Sequence, residues 1–298
     1  MGQPVEVRVF LAAPNFGGYV LFSLFSFQTL NIIRNHYSDY KIKPKLIILH
    51  CFNSQHPCFE KQSPFELWRK MNVGPHYIVH KDGSITQCTP DTKDPETVFM
   101  IRHAGPSSWK DFADIDHEKH WLTLNYKAIG IEMDSEGYED PPNKIDKPGK
   151  YTDAQITSVK KLVNSLAQKF NIPKALILGH SDISPYRIEN GQVVLGKNDP
   201  SESFPWDDYA KQKKLTAEEI ADKEKFVTEK LIQIGYDLNR DNAVPSEQKH
   251  LAIKYCLLAF ARHWSPSHLE LLKSWDGLIY SQLPIELLEQ LKFIAENI

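Results

Sequence analysis

The stretch Lys45–Cys51, KLIILHC, puts four apolar residues in a row and closes the run on His50. A short apolar run that is partly β-branched and bounded by polar residues reads as a buried strand. Two further runs have the same form. Ala128–Met133, AIGIEM, carries Glu132, and Ala175–Gly179, ALILG, is followed at once by His180. In open α/β sheets, ligand sites gather beyond the carboxyl ends of the strands. One histidine at such a place is ordinary. Two of them, with an acid on a third run and Asp199 downstream, point to a site.

The segments between these runs have their own signals. His76–Cys88, HYIVHKDGSITQC, has two alternating halves around Asp82-Gly83 and reads as a hairpin. Thr152-Asp153-Ala154-Gln155 has the form of a capping box. The helix it opens has apolar positions Ile156, Val159, Val163, Leu166 and Phe170, and Pro173 stops it. A helix also fits Pro64–Met71. Strands alternating with helices define an α/β domain with a central, mostly buried sheet flanked by helices.

After Trp206 the chain becomes strongly charged and then wholly helical in pattern. Thr216-x-x-Glu219 is a second capping-box signature. Helices are expected over 217–234, about 246–263, 267–274 and 284–296, with Gly235 as the C-cap of the first. The expected division is an N-terminal extension over 1–44, an α/β domain over 45–212 and a small all-α domain over 213–298.

Composition narrows the function. The 298 residues are 41% hydrophobic and 24% charged, which is globular, and a chain of this length buries a core without covalent staples. The net charge is −3 and no long Lys/Arg run occurs, which argues against a nucleic-acid partner. The four cysteines, Cys51, Cys58, Cys88 and Cys256, show no CxxC spacing and read as free thiols. Tyr19–Phe27, YVLFSLFSF, is too short to span a bilayer. It fits either the apolar part of a signal peptide or a buried strand; only Arg8 precedes it as a positive charge and no A-x-A site follows.

Two histidines and one carboxylate form a zinc set that leaves a fourth position for water. The metal brings the pKa of that water to about 7. The residues alone leave the acidic ligand open among Glu132, Asp199 and Asp134; one acid must bind metal and another stay free as general base. Cys51 neighbours His50 on the strand and should face the opposite side. His76 starts a hairpin strand and reads as structural. No HExxH occurs, which argues against a zinc peptidase of that kind.

The stretches LIILHC, PHYIVHKDGSITQ, RHAGPSSW, NYKAIGIEMD and GHSDISPYR…GKNDPSESFPW stand in that order over residues 45–206. Together they resemble the zinc-dependent N-acetylmuramoyl-L-alanine amidases of the second type, a family related to peptidoglycan recognition proteins. The resemblance implies a central mixed sheet and Zn2+ held by His50, His180 and Asp199. It implies Glu132 as general base and Lys197 as the oxyanion-stabilising cation. The expected substrate-site residues are His103, Asn125, which precedes the GIE strand and would order backbone near the cleft, and Trp109, whose indole would either stack on sugar or pack. The implied reaction is hydrolysis of the amide between the lactyl group of N-acetylmuramic acid and L-alanine, with peptidoglycan or muropeptide fragments as partners. The alternative is a non-catalytic recognition protein; such relatives lose a metal ligand, and all three positions are filled here.

The pattern also departs from the family. Arg102 takes the place of an aromatic residue before His103. Ile188–Gly196 lengthens the loop before Lys197 and is expected to shape the cleft rim. Ser201 stands where glycine is usual. Behind the catalytic segment, LIQIGYDLN and YCLLAFARHWSP resemble a peptidoglycan-binding helical module, with Ala261 replacing a glutamine. A wall-binding tail favours the bacterial cell envelope or periplasm, while free thiols leave the cytoplasm as the alternative.

Overall fold

The computed structural model describes residues 28–29, 38–53, 63–105, 107, 109, 124–135, 150–206, 213–238 and 244–297. The apolar segment at 19–27 and the expected boundary near 210–212 lie outside them. Along the chain run β1 (Gln28–Thr29), β2 (Lys41–Ile42), β3 (Leu46–Phe52), α1 (Pro64–Met71), β4 (Tyr77–Val79), β5 (Ile85–Gln87), β6 (Val98–Phe99) and β7 (Ala128–Asp134). There follow α2 (Asp153–Phe170), β8 (Ile177–Gly179), α3 (His180–Ile183), β9 (Tyr186–Glu189) and β10 (Gln192–Leu195). The C-terminal helices are α4 (Lys223–Ile234), α5 (Lys249–Trp264), α6 (Leu269–Ser274) and α7 (Ile285–Asn297).

Six strands form one mixed sheet in the order β1-β5-β4-β7-β3-β8. β4, β7, β3 and β8 run parallel to their neighbours, while β5 is antiparallel to β4. The three apolar runs are thus adjacent parallel strands, β7 and β3 inside the sheet and β8 at its edge, and their continuous rather than alternating hydrophobicity suits burial on both faces. Side chains alternate between the faces. Ile47, Leu49, Ile129, Ile131 and Met133 pack with Val159, Leu162, Val163 and Leu166 of α2. Leu46, Ile48, Ala128 and Leu178 point the other way, into a cluster that continues without a break through Leu231, Phe260, Trp264 and Leu288 of the C-terminal helices. The sheet is therefore covered by helices on both faces.

Several helix ends differ from the sequence reading. Thr152 does cap α2, accepting from the Gln155 backbone N–H. The Gln155 side chain, however, does not reach back to the cap. Its Nε2 donates to the Val79 and Asp134 carbonyls, at 2.9 and 2.8 Å, and so ties the ends of β4 and β7 together. Asn171, in the left-handed region at φ 53°, ends the helix before Pro173. Thr216 and Glu219 make both capping-box bonds, but the helix opens only at Lys223. Asp222 supplies a competing cap for Lys225 N–H, and the Glu219 carboxylate is also drawn to Lys292. The expected strand at 175–179 begins at Ile177, because Lys174–Leu176 forms a 3-10 turn.

The expected loop extension at 188–196 is a hairpin, β9 with β10. Asn190 and Gly191 both have positive φ, at 51° and 76°, as a two-residue type I′ turn demands. The hairpin lies against α5: Val193 N–H donates to Gln248 Oε1, and Gln248 Nε2 donates to the Gly191 carbonyl.

His76 is a structural residue, as its position in the hairpin suggested. It is fully buried, accepts from Gly130 N–H through Nδ1 and donates from Nε2 to the Phe99 carbonyl. Burial lowers its pKa to about 4, against the opposing effect of the Phe99 bond. The unfolded chain therefore binds a proton at this site between pH 6.5 and about 4 while the native state does not, and stability is lost as pH falls through that window. At ~1.4 kcal/mol per pH unit, the advantage of the wild type over His76→Gln is expected to shrink by about 3 kcal/mol between pH 7 and pH 4. Urea denaturation of both proteins at the two pH values measures it.

Candidate metal centre and active site

β3 and β7 are parallel and in a register that sets His50 directly beside Glu132. Facing residues on neighbouring strands present their side chains to the same side of the sheet, so these two share a face. β8 lies on the other flank of β3, with Gly179 opposite Leu49. His180 follows at once, as the first residue of the four-residue α3. The chain then makes the β9–β10 hairpin and returns: Ser181 N–H donates to the Asp199 carbonyl at 2.9 Å, which brings Asp199 back beside His180. The Asp199-Pro200 peptide is cis. Ser201 sits at φ 75°, in the left-handed region where a Cβ is disfavoured, which is the physical reason for glycine at this position.

Three acceptor atoms converge there. His50 Nδ1 is 3.0 Å from His180 Nδ1 and 3.4 Å from Asp199 Oδ2; His180 Nδ1 is 3.1 Å from Asp199 Oδ2. All three residues are buried. Zinc with bonds of about 2.0–2.1 Å in tetrahedral geometry separates its ligand atoms by about 3.3 Å, so the triangle has the size of one zinc face.

The protonation of the ring nitrogens follows from the network. A carbonyl only accepts, so the contact of His103 Nε2 with the Ala128 carbonyl, at 3.4 Å, places a proton on Nε2. Burial, then His50 and His76, holds the His103 pKa well below its ordinary value, so the ring is neutral and its Nδ1 is bare. His50 Nε2, 3.0 Å from that Nδ1, must then be the donor. Burial and His180 lower the His50 pKa to about 4, so His50 is neutral too and its own Nδ1 presents a lone pair to the triangle. A ligand histidine oriented through its second nitrogen is the usual device of a metal site. The Asp199 carboxyl is raised by burial, but His180 beside it, through charge and hydrogen bonding, reverses this and holds it well below the carboxylate range.

Glu132 stands outside the triangle. Burial, then the charge of Asp199, pushes its pKa up to about 8, against the opposing pull of Lys197. Its Oε2 is buried without a hydrogen-bond partner. Such a carboxyl is poised to exchange a proton near neutral pH. Lys197 is exposed, and its charge acts on both Glu132 and His50. Asp134 is not part of the triangle. Cys51 packs on the α2 side of the sheet, as the alternation of β3 requires.

The expected substrate contacts fare differently. His103 backs His50 rather than projecting forward. Asn125 is buried, and its Oδ1 accepts the backbone N–H groups of His103 and Ala104 at 2.8 and 2.9 Å; it orders the backbone that carries His103. Of the two alternatives for Trp109, the structure has the packed one. The residue is only 2% exposed and packs edge-on to Tyr236, over the space that Gly235 leaves free. Two further residues had no local signal: Tyr151, whose hydroxyl donates to the Pro200 carbonyl, and Gln155.

Residues 40–202 match the family model described as N-acetylmuramoyl-L-alanine amidase. The chain belongs to this family. Its activity is that of a peptidoglycan amidase, which hydrolyses the amide between the lactyl group of N-acetylmuramic acid and L-alanine. None of the curated proteins matches the chain. Among solved structures, it is similar to the amidase AmiD from E. coli in complex with anhydro-N-acetylmuramic acid-L-Ala-D-gamma-Glu-L-Lys. The identity is 18% and the TM-score 0.54, over 89% of this chain and 93% of that one. It is also similar to AmpDh3 from Pseudomonas aeruginosa, at 18% identity and a TM-score of 0.51, over 94% and 99% of the two chains. AmpDh3 has a further structure in complex with anhydromuramic pentapeptide. These likenesses establish a common fold. No helix among the described residues is long and apolar enough to cross a membrane.

Gly130 leaves the space in which the His103 ring lies; a Cβ there would stand 2.4 Å from His103 Cγ. Gly130→Ala is expected to lose about 1–3 kcal/mol through overpacking. The double variant Gly130→Ala/His103→Ala should recover part of that loss, because the clashing ring is gone. A double-mutant cycle in urea measures the coupling.

Proposed function

We propose that the protein is a zinc-dependent amidase in which His50 Nδ1, His180 Nδ1 and Asp199 Oδ2 hold the metal. The observation that carries this reading is the triangle of three buried potential ligand atoms, of a size that fits one zinc face. When bound, Zn2+ supplies a water of lowered pKa and a Lewis acid for the scissile carbonyl.

The residues of the chain then divide the remaining work. Glu132 takes the proton from the attacking water and returns it to the departing amine of L-alanine. Its raised pKa suits both halves of that task, since a group titrating near the working pH is able to accept and to donate. Lys197 brings a full positive charge toward the oxygen that becomes negative as the carbonyl turns tetrahedral. His103 and Asn125 act behind the metal: Asn125 fixes the backbone, and His103 holds the tautomer of His50. Residues 45–212 carry this chemistry, and helices α4–α7 pack on one face of their sheet.

The substrate-bound relatives carry anhydromuramyl peptides, which supports soluble muropeptides, alongside the wall polymer, as the molecules to offer. The envelope is the compartment that suits action on the wall polymer; action on soluble muropeptides alone is compatible with the cytoplasm.

Purified protein incubated with an anhydromuropeptide is expected to release free stem peptide, detected by mass spectrometry, and a chelator should abolish the release. No release by the zinc-loaded protein from either muropeptide or wall would refute the reading. Glu132→Ala should keep its zinc and lose about 10²–10⁴ in kcat. Lys197→Ala should lose about 10²–10³ in kcat with zinc retained.

A further inference from the structure

Asp182 is the third residue of α3, two positions beyond His180, and is 1% exposed. Its carboxylate accepts three hydrogen bonds. One comes from the Gly179 N–H, at 2.7 Å, within its own turn. The other two come from the C-terminal helices. The Tyr236 hydroxyl, just after α4, donates to Oδ1 at 3.0 Å. His263 Nδ1, in the last turn of α5, donates to Oδ2 at 2.8 Å. The His263 ring is itself fixed, with Trp264 stacked on it at 3.8 Å and Trp206 at 3.9 Å.

The same helices hold the rest of this segment. The Tyr186 hydroxyl donates to the Asp237 carbonyl at 2.8 Å. Gln248 makes two bonds to the β9–β10 hairpin. Lys273 pairs with Glu202 at 2.8 Å, and both side chains are largely buried. Residues 179–206, which carry His180, Lys197 and Asp199, are thus gripped along their whole length by side chains from beyond residue 230.

We infer that the C-terminal helices are part of the active-site scaffold, with Tyr236 and His263 as positioning residues that orient His180 through the Asp182 carboxylate. This rests on the reading of His180 as a metal ligand. A four-residue helix has no stability of its own, since one turn costs more conformational entropy than its hydrogen bonding returns. Outside contacts must therefore set its orientation. A buried carboxylate is well suited to this, because it tolerates no loss of donors: an unpaired charge in the interior is strongly unfavourable. Tyr236 belongs to IGYDLN and His263 to ARHWSP, the two segments that resemble a peptidoglycan-binding module. Both side chains are turned inward onto Asp182.

The test compares full-length wild type with Tyr236→Phe, His263→Gln and Asp182→Asn. Zinc affinity is measured by competition with a chromogenic chelator, and amide hydrogen exchange is followed over residues 179–184 and, as a reference, over α2. The positioning role requires zinc binding at least tenfold weaker in the variants, in the range lost when outer partners of metal ligands are removed. It also requires faster exchange at 179–184 with α2 unchanged. Tyr236→Phe removes a single hydroxyl and keeps the packing, so it decides the matter if His263→Gln fails to fold. Wild-type zinc affinity and exchange in Tyr236→Phe would overturn the inference, whatever its melting temperature. If the wild type itself takes up no zinc, the ligand assignment fails, and exchange at 179–184 alone then decides whether the helices hold α3.

Discussion

Three lone-pair-bearing atoms held within 3.4 Å of one another, on buried side chains, are the constraint around which this fold is arranged. Gathering such polar atoms in the interior costs free energy unless something satisfies them. Nothing local brings them together. His50 comes from the end of a central strand, His180 from a single helical turn, and Asp199 from a segment that leaves and returns by way of a hairpin. The favourable free energy of binding a cation at such a place is available to the fold itself, because the unfolded chain has no such site.

The sheet sorts its functions by face. Odd positions of β3 and β7, such as Leu49 and Ile131, are committed to the α2 side and serve only packing. Even positions start in the core with Leu46 and Ala128, pass through Ile48 and Gly130, and end at His50 and Glu132, where the apolar cover stops. One alternation therefore builds both a hydrophobic core and a polar site along the same pair of strands. The glycine between Ala128 and Glu132 is what allows an imidazole to lie flat against the strand and support its neighbour.

Much of this was legible in the residues. Histidines that close apolar runs, and a glutamate set among β-branched residues, announced both strands and site. The bounds of α1, from Pro64 to Met71, could be read directly, since Ser63 and Glu66 make a complete capping box. What failed was the destination of side chains whose partners are distant in sequence. Gln155 occupies a capping-box position yet spends its amide on Val79 and Asp134. Asn125 does order backbone, as read, but that the N–H groups it holds are those of residues 103–104, and that Trp109 packs on Tyr236, no local pattern could tell. The Asn190-Gly191 pair was a readable hairpin signal. Its docking on Gln248 was not, because no local pattern encodes the surface that a hairpin meets.

The unbroken cluster from Leu46 to Leu288 bears on how such a chain is able to change over evolutionary time. A helical appendage joined by a linker, with a core of its own, is gained, lost or exchanged between enzymes with little effect on its host. Here the C-terminal helices share one apolar cluster with that face of the sheet, and the segment bearing two candidate ligands is laced to the same helices. Substitutions on the two sides of this seam are tied to each other: a change in α5 is felt at the strand ends. The two halves of the chain are expected to drift as one lineage rather than to recombine as separate parts.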